Sequence, residues 1–354
     1  MVDEDIGGNP SAAVQKRCAL FEVLLQLFLW YLVNGPMQTE NEVSVAAAEA
    51  KLFGRIVAQS EPLSLSDFNI GKRLGQGKYG TVFLAQHKKS NFVVAIKRLS
   101  KAEIISEKIA PQIVRELEIQ GYLRHPNLLK IHAVFADEQS IYMVIDYCIF
   151  GELYRILRRL KTFPEPVAAR YIHSMAVALK YLHAKHVMHR DIKPENILID
   201  VFGTLKLADF GWSVHDLQDR RRTMCGTLDY LPVEIVRSQP YTPAVDMWSL
   251  GVLAFEFLYG KPPFVTSDTR ATYAKISAAE YTFPSTPVVS AEGQDLIRKL
   301  LRVRPDDRLD PDGVISHPWC QRHVEALTAT GEIHRPPQII EELVFGPGLP
   351  SVQP

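Results

Sequence analysis

His189-Arg190-Asp191-Ile192-Lys193-Pro194-Glu195-Asn196, followed by Asp209-Phe210-Gly211, is the stretch on which the reading of this chain turns. It holds the parts of a phosphoryl-transfer loop in order. Asp191 can orient an attacking hydroxyl and accept its proton, and Lys193 can neutralise charge on the moving group. Asn196 and Asp209 offer hard oxygen ligands of the kind magnesium prefers. An isolated Asp-x-x-x-x-Asn carries little weight, whereas the whole string with Asp-Phe-Gly downstream is highly specific.

Upstream, Leu74-Gly75-Gln76-Gly77-Lys78-Tyr79-Gly80-Thr81-Val82 reads as a glycine-rich turn between two strands. Glycine lets backbone amides approach phosphates with no side chain in the way. Dinucleotide sites use similar spacing, but there a helix opens inside the motif. Here Val82-Phe83-Leu84-Ala85 reads as a strand, and Val93-Val94-Ala95-Ile96-Lys97 as another. Lys97 in isolation is a solvated strand-end lysine; in this company it is a phosphate-holding one. A helix is expected after Pro111, with Ile113, Leu117, Gln120 and Gly121 along one side and Glu116 as the acid that pairs with Lys97. Glu118 lies two residues on and points to a different side of the helix.

Ile141 to Ile145 reads as a buried strand, leading into Asp146-Tyr147-Cys148 as a hinge whose backbone meets an adenine edge. Helical patterns follow through Glu152-Leu153-Tyr154 and from Ala168 to His183. His173, His183 and His186 have no ligand-like spacing and read as packing or surface residues. Thr204 to Ala208 is the strand that delivers Asp209. Asp246-Met247-Trp248-Ser249 opens a buried helix, Arg308 is expected to pair with Glu234, and His317-Pro318-Trp319 to end the domain. The tail from about Ala326 reads as loose, although Ile339 to Phe345 is apolar enough to dock.

Together these motifs form the protein-kinase pattern. On it, the candidate catalytic residues are Asp191, Lys193, Lys97 and Glu116. The candidate ATP contacts are Leu74, Gly75, Gly77, Lys78, Gly80, Val82, Ala95, Lys97, Asp146, Tyr147, Cys148, Glu195, Asn196 and Asp209. Asn196 and Asp209 are the candidate Mg2+ ligands.

The bulk numbers agree with a globular enzyme. The 354 residues carry 40 basic and 40 acidic side chains, so no global charge draws the chain to nucleic acid or membrane. Four cysteines, Cys18, Cys148, Cys225 and Cys320, lie far apart with no Cys-x-x-Cys pair, which argues against a zinc site or disulfide framework and for a reducing compartment. Residues 1–66 read as a flexible N-terminal extension, and 320–354 as a C-terminal tail. Within the extension, 18–33 is strongly apolar. A membrane helix needs about 20 apolar residues, and this run is shorter and carries Glu22 and Gln26. A signal peptide starts basic, whereas Asp3, Glu4 and Asp5 come first here. An accessory helix, or sequence upstream of a start at Met37, is the favoured reading.

Over residues 67–319 the chain resembles the Aurora family of mitotic serine/threonine kinases. The resemblance rests on Asp209-Phe210-Gly211-Trp212-Ser213-Val214-His215, with its unusual tryptophan, and on Arg221-Arg222-Thr223-Met224-Cys225-Gly226-Thr227-Leu228-Asp229-Tyr230-Leu231-Pro232. Arg115-Glu116-Leu117-Glu118-Ile119-Gln120 with Leu123-Arg124-His125-Pro126-Asn127, and Gly260-Lys261-Pro262-Pro263-Phe264, carry it further. Two departures concern Val233, where the family has a second proline, and Gly151-Glu152-Leu153, which at one position is nearer the chromosomal-passenger type than the spindle-pole type.

The resemblance implies an α+β, bilobal protein-kinase fold, with a small antiparallel-sheet lobe of five strands and one main helix and a larger, mainly helical lobe. It implies ATP with Mg2+ as cofactors and transfer to serine or threonine. It implies Thr223 as an activating phosphosite whose phosphate is received by Arg115 and Arg190, and Gln120 in a polar spine position. Glu152, Glu195 and Glu256 stand where basophilic kinases hold substrate arginines, so substrates with basic motifs, histone tails among them, are expected. An activator peptide on the small lobe is implied, with residence in nucleus and cytoplasm, at chromosomes, spindle, centrosome or midbody. Neither nucleic-acid binding nor membrane insertion is expected. Two alternatives compete. A cyclic-nucleotide-dependent type of kinase would carry an aromatic docking motif in its tail. A pseudokinase scaffold would lack a phosphate-handling residue, and none is missing.

Overall fold

The computed structural model describes residues 63–77, 80–215 and 227–345. The apolar stretch 18–33, Lys78, Thr223 and two of the cysteines, Cys18 and Cys225, lie outside these described residues. The chain divides into two compact units, one running to Tyr122 and including Ile131–Asp146, the other comprising Leu123–Lys130 and everything from Tyr147.

The smaller unit is built on five strands: β1 (Phe68–Gly77), β2 (Gly80–His87), β3 (Val93–Ser100), β4 (Ile131–Ala136) and β5 (Ser140–Asp146). They pair antiparallel in the order β1-β2-β3-β5-β4. Side chains alternate across a strand, so Val94 and Ile96 reach one face with Phe68, Ala85, Tyr142 and Val144. Phe135 stacks on Phe68 at 5.9 Å and on Tyr142 at 5.0 Å, closing that cluster. Two helices join β3 to β4. The short α1 (Lys101–Ser106) starts where Ser100 Oγ accepts the Glu103 amide, a side-chain cap that satisfies one of the open donors of a helix start. The longer α2 (Ala110–Tyr122) buries Ile113, Leu117 and Gln120, one helical face. The sequence reading of a single helix here therefore needs α1 added: Ser100 is an N-cap that the long-helix pattern hid.

The larger unit is mainly helical. Its helices are α3 (Leu153–Leu160), α4 (Glu165–Ala184), α5 (Val233–Val236), α6 (Ala244–Tyr259), α7 (Thr269–Ala278), α8 (Ala291–Leu300), α9 (Pro311–Ile315), α10 (Pro318–Ala329) and α11 (Gln338–Phe345). Helix α6 is buried on every side, which is why its sequence lacks a polar face. Trp248 from α6 stacks on Phe264 at 5.3 Å, and the Arg308 guanidinium lies 5.0 Å from the Trp248 ring. Arg308 also forms the expected pair with Glu234, bidentate at 2.8 and 2.7 Å and wholly buried. Val233 begins α5 and is itself buried.

Short strands complete the unit. β6 (Gly151–Glu152), β8 (Ile197–Ile199) and β9 (Leu205–Leu207) form one antiparallel sheet; β7 (Val187–Met188) pairs with β10 (Val214–His215). The chain does not loosen after Trp319 or Ala326. Helix α10 continues to Ala329, Gly331 turns the chain in the left-handed region, and α11 docks with Ile340 fully buried. Composition alone suggested looseness because Pro336 and Pro337 interrupt the helices; the packing that holds the segment is long-range. No helix among the described residues is long and apolar enough to cross a membrane.

Candidate active site

In the smaller unit the expected phosphate-handling residues lie on three neighbouring strands and α2. Leu74, Gly75 and Gly77 end β1, Gly80 and Val82 begin β2, and the register sets Gly75 opposite Val82 and Gly77 opposite Gly80. A Cβ on Gly75 would meet nothing within 4 Å. Packing therefore does not demand glycine there; the bare backbone leaves room for a ligand. Gly80 is different, since a Cβ there would collide with the Arg98 carbonyl and the Leu99 side chain. Ala95 is buried on β3 between Leu84 and Ile145. Lys97, two residues along, sends Nζ 2.7 Å from Glu116 Oε1 on α2. Asp146 closes β5 with its carboxylate 2.8 Å from His132 Nε2. Arg115 sits half-buried on α2.

In the larger unit the loop between β7 and β8 gathers the rest. Asp191 Oδ2 accepts from Lys193 Nζ and from Asn196 Nδ2, both at 2.8 Å. Asn196 Nδ2 also donates to the Asp191 carbonyl at 2.8 Å, which orients the amide and leaves its Oδ1 facing away. Asp191 Oδ1 is buried with no hydrogen-bond partner among the described residues. A buried carboxylate oxygen without a donor costs free energy, and Oδ1 is available to accept one. The Ala208 amide donates to the Asn196 carbonyl at 2.8 Å, bringing the strand that carries Asp209 to the base of this loop. Asp209 itself has φ +63° and accepts the Gly211 amide on Oδ1 at 3.3 Å. One amide oxygen and one carboxylate at neighbouring positions fit Mg2+, which takes few protein oxygens and completes its shell from phosphates and water.

The loop is held from behind by residues that the local motifs do not announce. Asp246, fully buried on α6, accepts the His189 amide at 3.0 Å and the Arg190 amide at 2.8 Å. His183 Nε2 lies 2.9 Å from the same carboxylate, so this histidine is part of the loop's support rather than ordinary packing. Burial pushes the Asp246 carboxyl up, but hydrogen bonds from His183 and the Arg190 amide outweigh it and hold the group below its ordinary value. His189 is buried, with Nδ1 accepting the Asp191 amide and Nε2 donating to the Ala208 carbonyl. Burial lowers its pKa, which keeps the ring neutral in that tautomer. Thr227 Oγ1 accepts from Lys193 Nζ at 2.8 Å, tethering the end of the segment that carries Thr223 to the loop.

Arg190, named by resemblance as a phosphate receiver, is buried at 7% exposure with φ +69°. Its guanidinium donates to the Trp212 carbonyl and, at 2.5 Å, to the Tyr241 hydroxyl.

The three candidate acids for substrate arginine differ. Glu195 is exposed. Glu256 accepts a short hydrogen bond from the Tyr230 hydroxyl. Its carboxyl is pushed up to about 7, by burial first and then by the charges of Glu195 and Asp229, against a lowering by Tyr230. Glu152 precedes α3 and accepts from Arg155 at 3.2 Å. The acid grouped with Glu195 and Glu256 is thus Asp229, whose own carboxyl burial raises. Only the crowding of negative charge around Tyr230 marks it.

Comparison with known proteins agrees with this geometry. Residues 68–320 match the protein kinase domain family. The serine/threonine-protein kinase Aurora-1 of Arabidopsis thaliana is 47% identical over 286 residues, 81% of this chain and 94% of the relative. An Aurora kinase of Schizosaccharomyces pombe is 50% identical over 262 residues, 74% of this chain and 73% of the relative. Aurora kinase A-A of Xenopus laevis is 49% identical over 255 residues, 72% of this chain and 62% of the relative.

Proposed function

Because the chain belongs to the Aurora family of serine/threonine protein kinases, we propose that it uses ATP with Mg2+ to phosphorylate serine or threonine in arginine-rich contexts during mitosis. The observation that carries this reading is the Asp191 carboxylate. Lys193 and Asn196 occupy Oδ2, and buried Oδ1 is left to accept a hydrogen bond from an incoming hydroxyl. Oriented this way, Asp191 takes the hydroxyl proton as the oxygen attacks, and Lys193 offsets charge on the transferred group. Asn196 and Asp209 would hold the magnesium, which would supply positive charge to offset that of the phosphates. Lys97, fixed by Glu116, holds the nucleotide phosphates, and the bare backbone at Gly75 and Gly77 lies along them. Leu74, Gly80, Val82 and Ala95 are the remaining nucleotide contacts on the strands, with Asp146, Tyr147 and Cys148 at the adenine edge. Most of the acceleration comes from positioning and charge stabilisation.

Glu195 and Glu256, together with Glu152 at the start of α3, bind arginines that precede the target residue; the negative charge at Glu195, Asp229 and Glu256 supports this. Arg220-Arg221-Arg222-Thr223 is itself such a substrate, so Thr223 is phosphorylated by a second copy of the chain and its phosphate is received by Arg115 and Arg190. Protein partners are basic substrates such as histone tails, and an activator peptide on the smaller unit. The place of action is nucleus and cytoplasm, at chromosomes, spindle, centrosome or midbody. Phosphate transfer to an arginine-rich serine peptide by wild type, Asp191→Asn and Thr223→Ala tests the reading. Transfer by wild type, lost in the first variant and reduced in the second, is expected. Wild type that is phosphorylated at Thr223, binds ATP and still transfers nothing in the presence of activator peptide would sink it. Asp191→Asn chain expressed without other kinases is expected to carry no phosphate on Thr223.

A further inference from the structure

Arg170, on α4, is 5% exposed and, among the described residues, makes no ion pair. The charge of Asp200 favours this guanidinium without forming an ion pair with it, so its donors must be met by backbone acceptors. Nη1 donates to the carbonyls of Arg335 at 2.6 Å and Glu332 at 3.3 Å, both in the C-terminal tail. Nη2 donates to those of Gly203 at 3.4 Å and Phe202 at 3.5 Å, both in the turn joining β8 to β9. One side chain therefore ties the tail to the tip of that hairpin.

Two further contacts make the same connection. Gly203 has φ +72°, and a Cβ there would lie 2.5 Å from the Pro336 Cα, so turn and tail meet backbone to backbone. At the other end of the tail, the Phe345 ring lies 5.3 Å from that of Phe150. The Phe150 amide donates to the Ile199 carbonyl of β8 at 3.3 Å. The tail thus grips both the tip and the flank of the β8–β9 hairpin.

The base of this hairpin is the part that matters chemically. Asn196 immediately precedes β8, Asp209 closely follows β9, and the Ala208 amide joins the two ends. Each strand is three residues long. At about 3.3 Å per residue the tip stands only about 10 Å from the base, too short for tip movement to die out along the way.

We propose that residues 332–345 form a strap that immobilises the β8–β9 hairpin through Arg170, making Arg170 a positioning residue for Asn196 and Asp209. The proposal rests on the reading of those two residues as magnesium ligands. Outer-shell groups that orient metal ligands change metal affinity by about 10- to 100-fold when removed.

The test compares full-length wild type with Arg170→Gln and Phe345→Ala. Phe345 is 40% exposed and its removal is expected to leave the fold intact, so the proposal stays open to test even if Arg170→Gln fails to fold. Amide exchange across 197–207 and Mn2+ binding with a non-hydrolysable ATP analogue, read by electron paramagnetic resonance, are the two measurements. Both variants are expected to exchange faster in the hairpin and to bind Mn2+ about tenfold more weakly, with the KM for substrate peptide unchanged. Wild-type Mn2+ affinity in the variants, with or without faster exchange in the hairpin, would overturn the proposal. Asn196→Ala and Asp209→Asn serve as controls: wild-type Mn2+ binding in both defeats the metal reading itself, a result separable from failure of the strap.

Discussion

Asp246 on α6 accepts the backbone amide of Arg190 at 2.8 Å, anchoring the phosphoryl-transfer loop to the most buried helix of its unit. With the His189 amide and His183 Nε2, three donors converge on one carboxylate. Asp246→Asn replaces one acceptor oxygen with a donor and sets it against an N–H. A loss of about 1.5–3 kcal/mol is expected, the range for hydrogen bonds to charged groups, with kcat falling more than KM. Thermal melts and steady-state kinetics check both. The carboxyl lies below its ordinary value of 3.8, so its contribution is present above that pH and fades as pH drops through the folded value. The variant should therefore lose less stability than wild type on acidification.

Breaking the Glu234–Arg308 pair from one side should be severe. Arg308→Ala leaves the Glu234 carboxylate buried without its two donors. About 3–5 kcal/mol of destabilisation is expected, read as a shift in urea midpoint. Glu234→Ala with Arg308→Ala should cost less than the sum of the two single changes.

Val233→Pro is expected to be nearly silent. Val233 is the first residue of α5, where proline is well tolerated. The preceding Pro232 already has φ −75° and ψ 158°, the conformation a following proline requires. A change of less than about 1.5 kcal/mol and unaltered activity are expected; loss of folding in thermal melts would contradict this account.

Glu256 is expected to make peptide affinity depend on pH. Its folded pKa of about 7 lies above the ordinary 4.5. As a raised group, it contributes stability that is fully present below 4.5 and lost as pH rises through about 7. Peptide binding has the opposite trend, since arginine needs the carboxylate. Between about pH 6 and 8 the KM for an arginine-containing peptide should fall by up to about tenfold, the worth of a charge-assisted hydrogen bond. Glu256→Gln should flatten that profile, and should also flatten the fall in stability with pH.

The small-unit sheet and the loop from His189 to Asn196 were legible because their residues lie close together in sequence. Glu116 was separable from Glu118 by helical geometry alone, and its bond to Lys97 follows. Asp246 was visible only as the start of a buried helix. What makes it matter are the amides of His189 and Arg190, more than fifty residues away, and backbone amides leave no mark in a sequence. His183 was read as packing for the same reason. Helix α1 was missed because a six-residue helix shows barely one turn of periodicity.

The match to the protein kinase domain family ends at residue 320, but packing continues to Phe345. The inherited domain and the cooperative folding unit therefore need not share a boundary. A fragment cut at residue 320 would keep every motif residue while stripping two of Arg170's four acceptors and uncovering Phe150. Such a fragment would unfold over a broader transition than the full chain and aggregate sooner on heating, with its chemistry nominally intact.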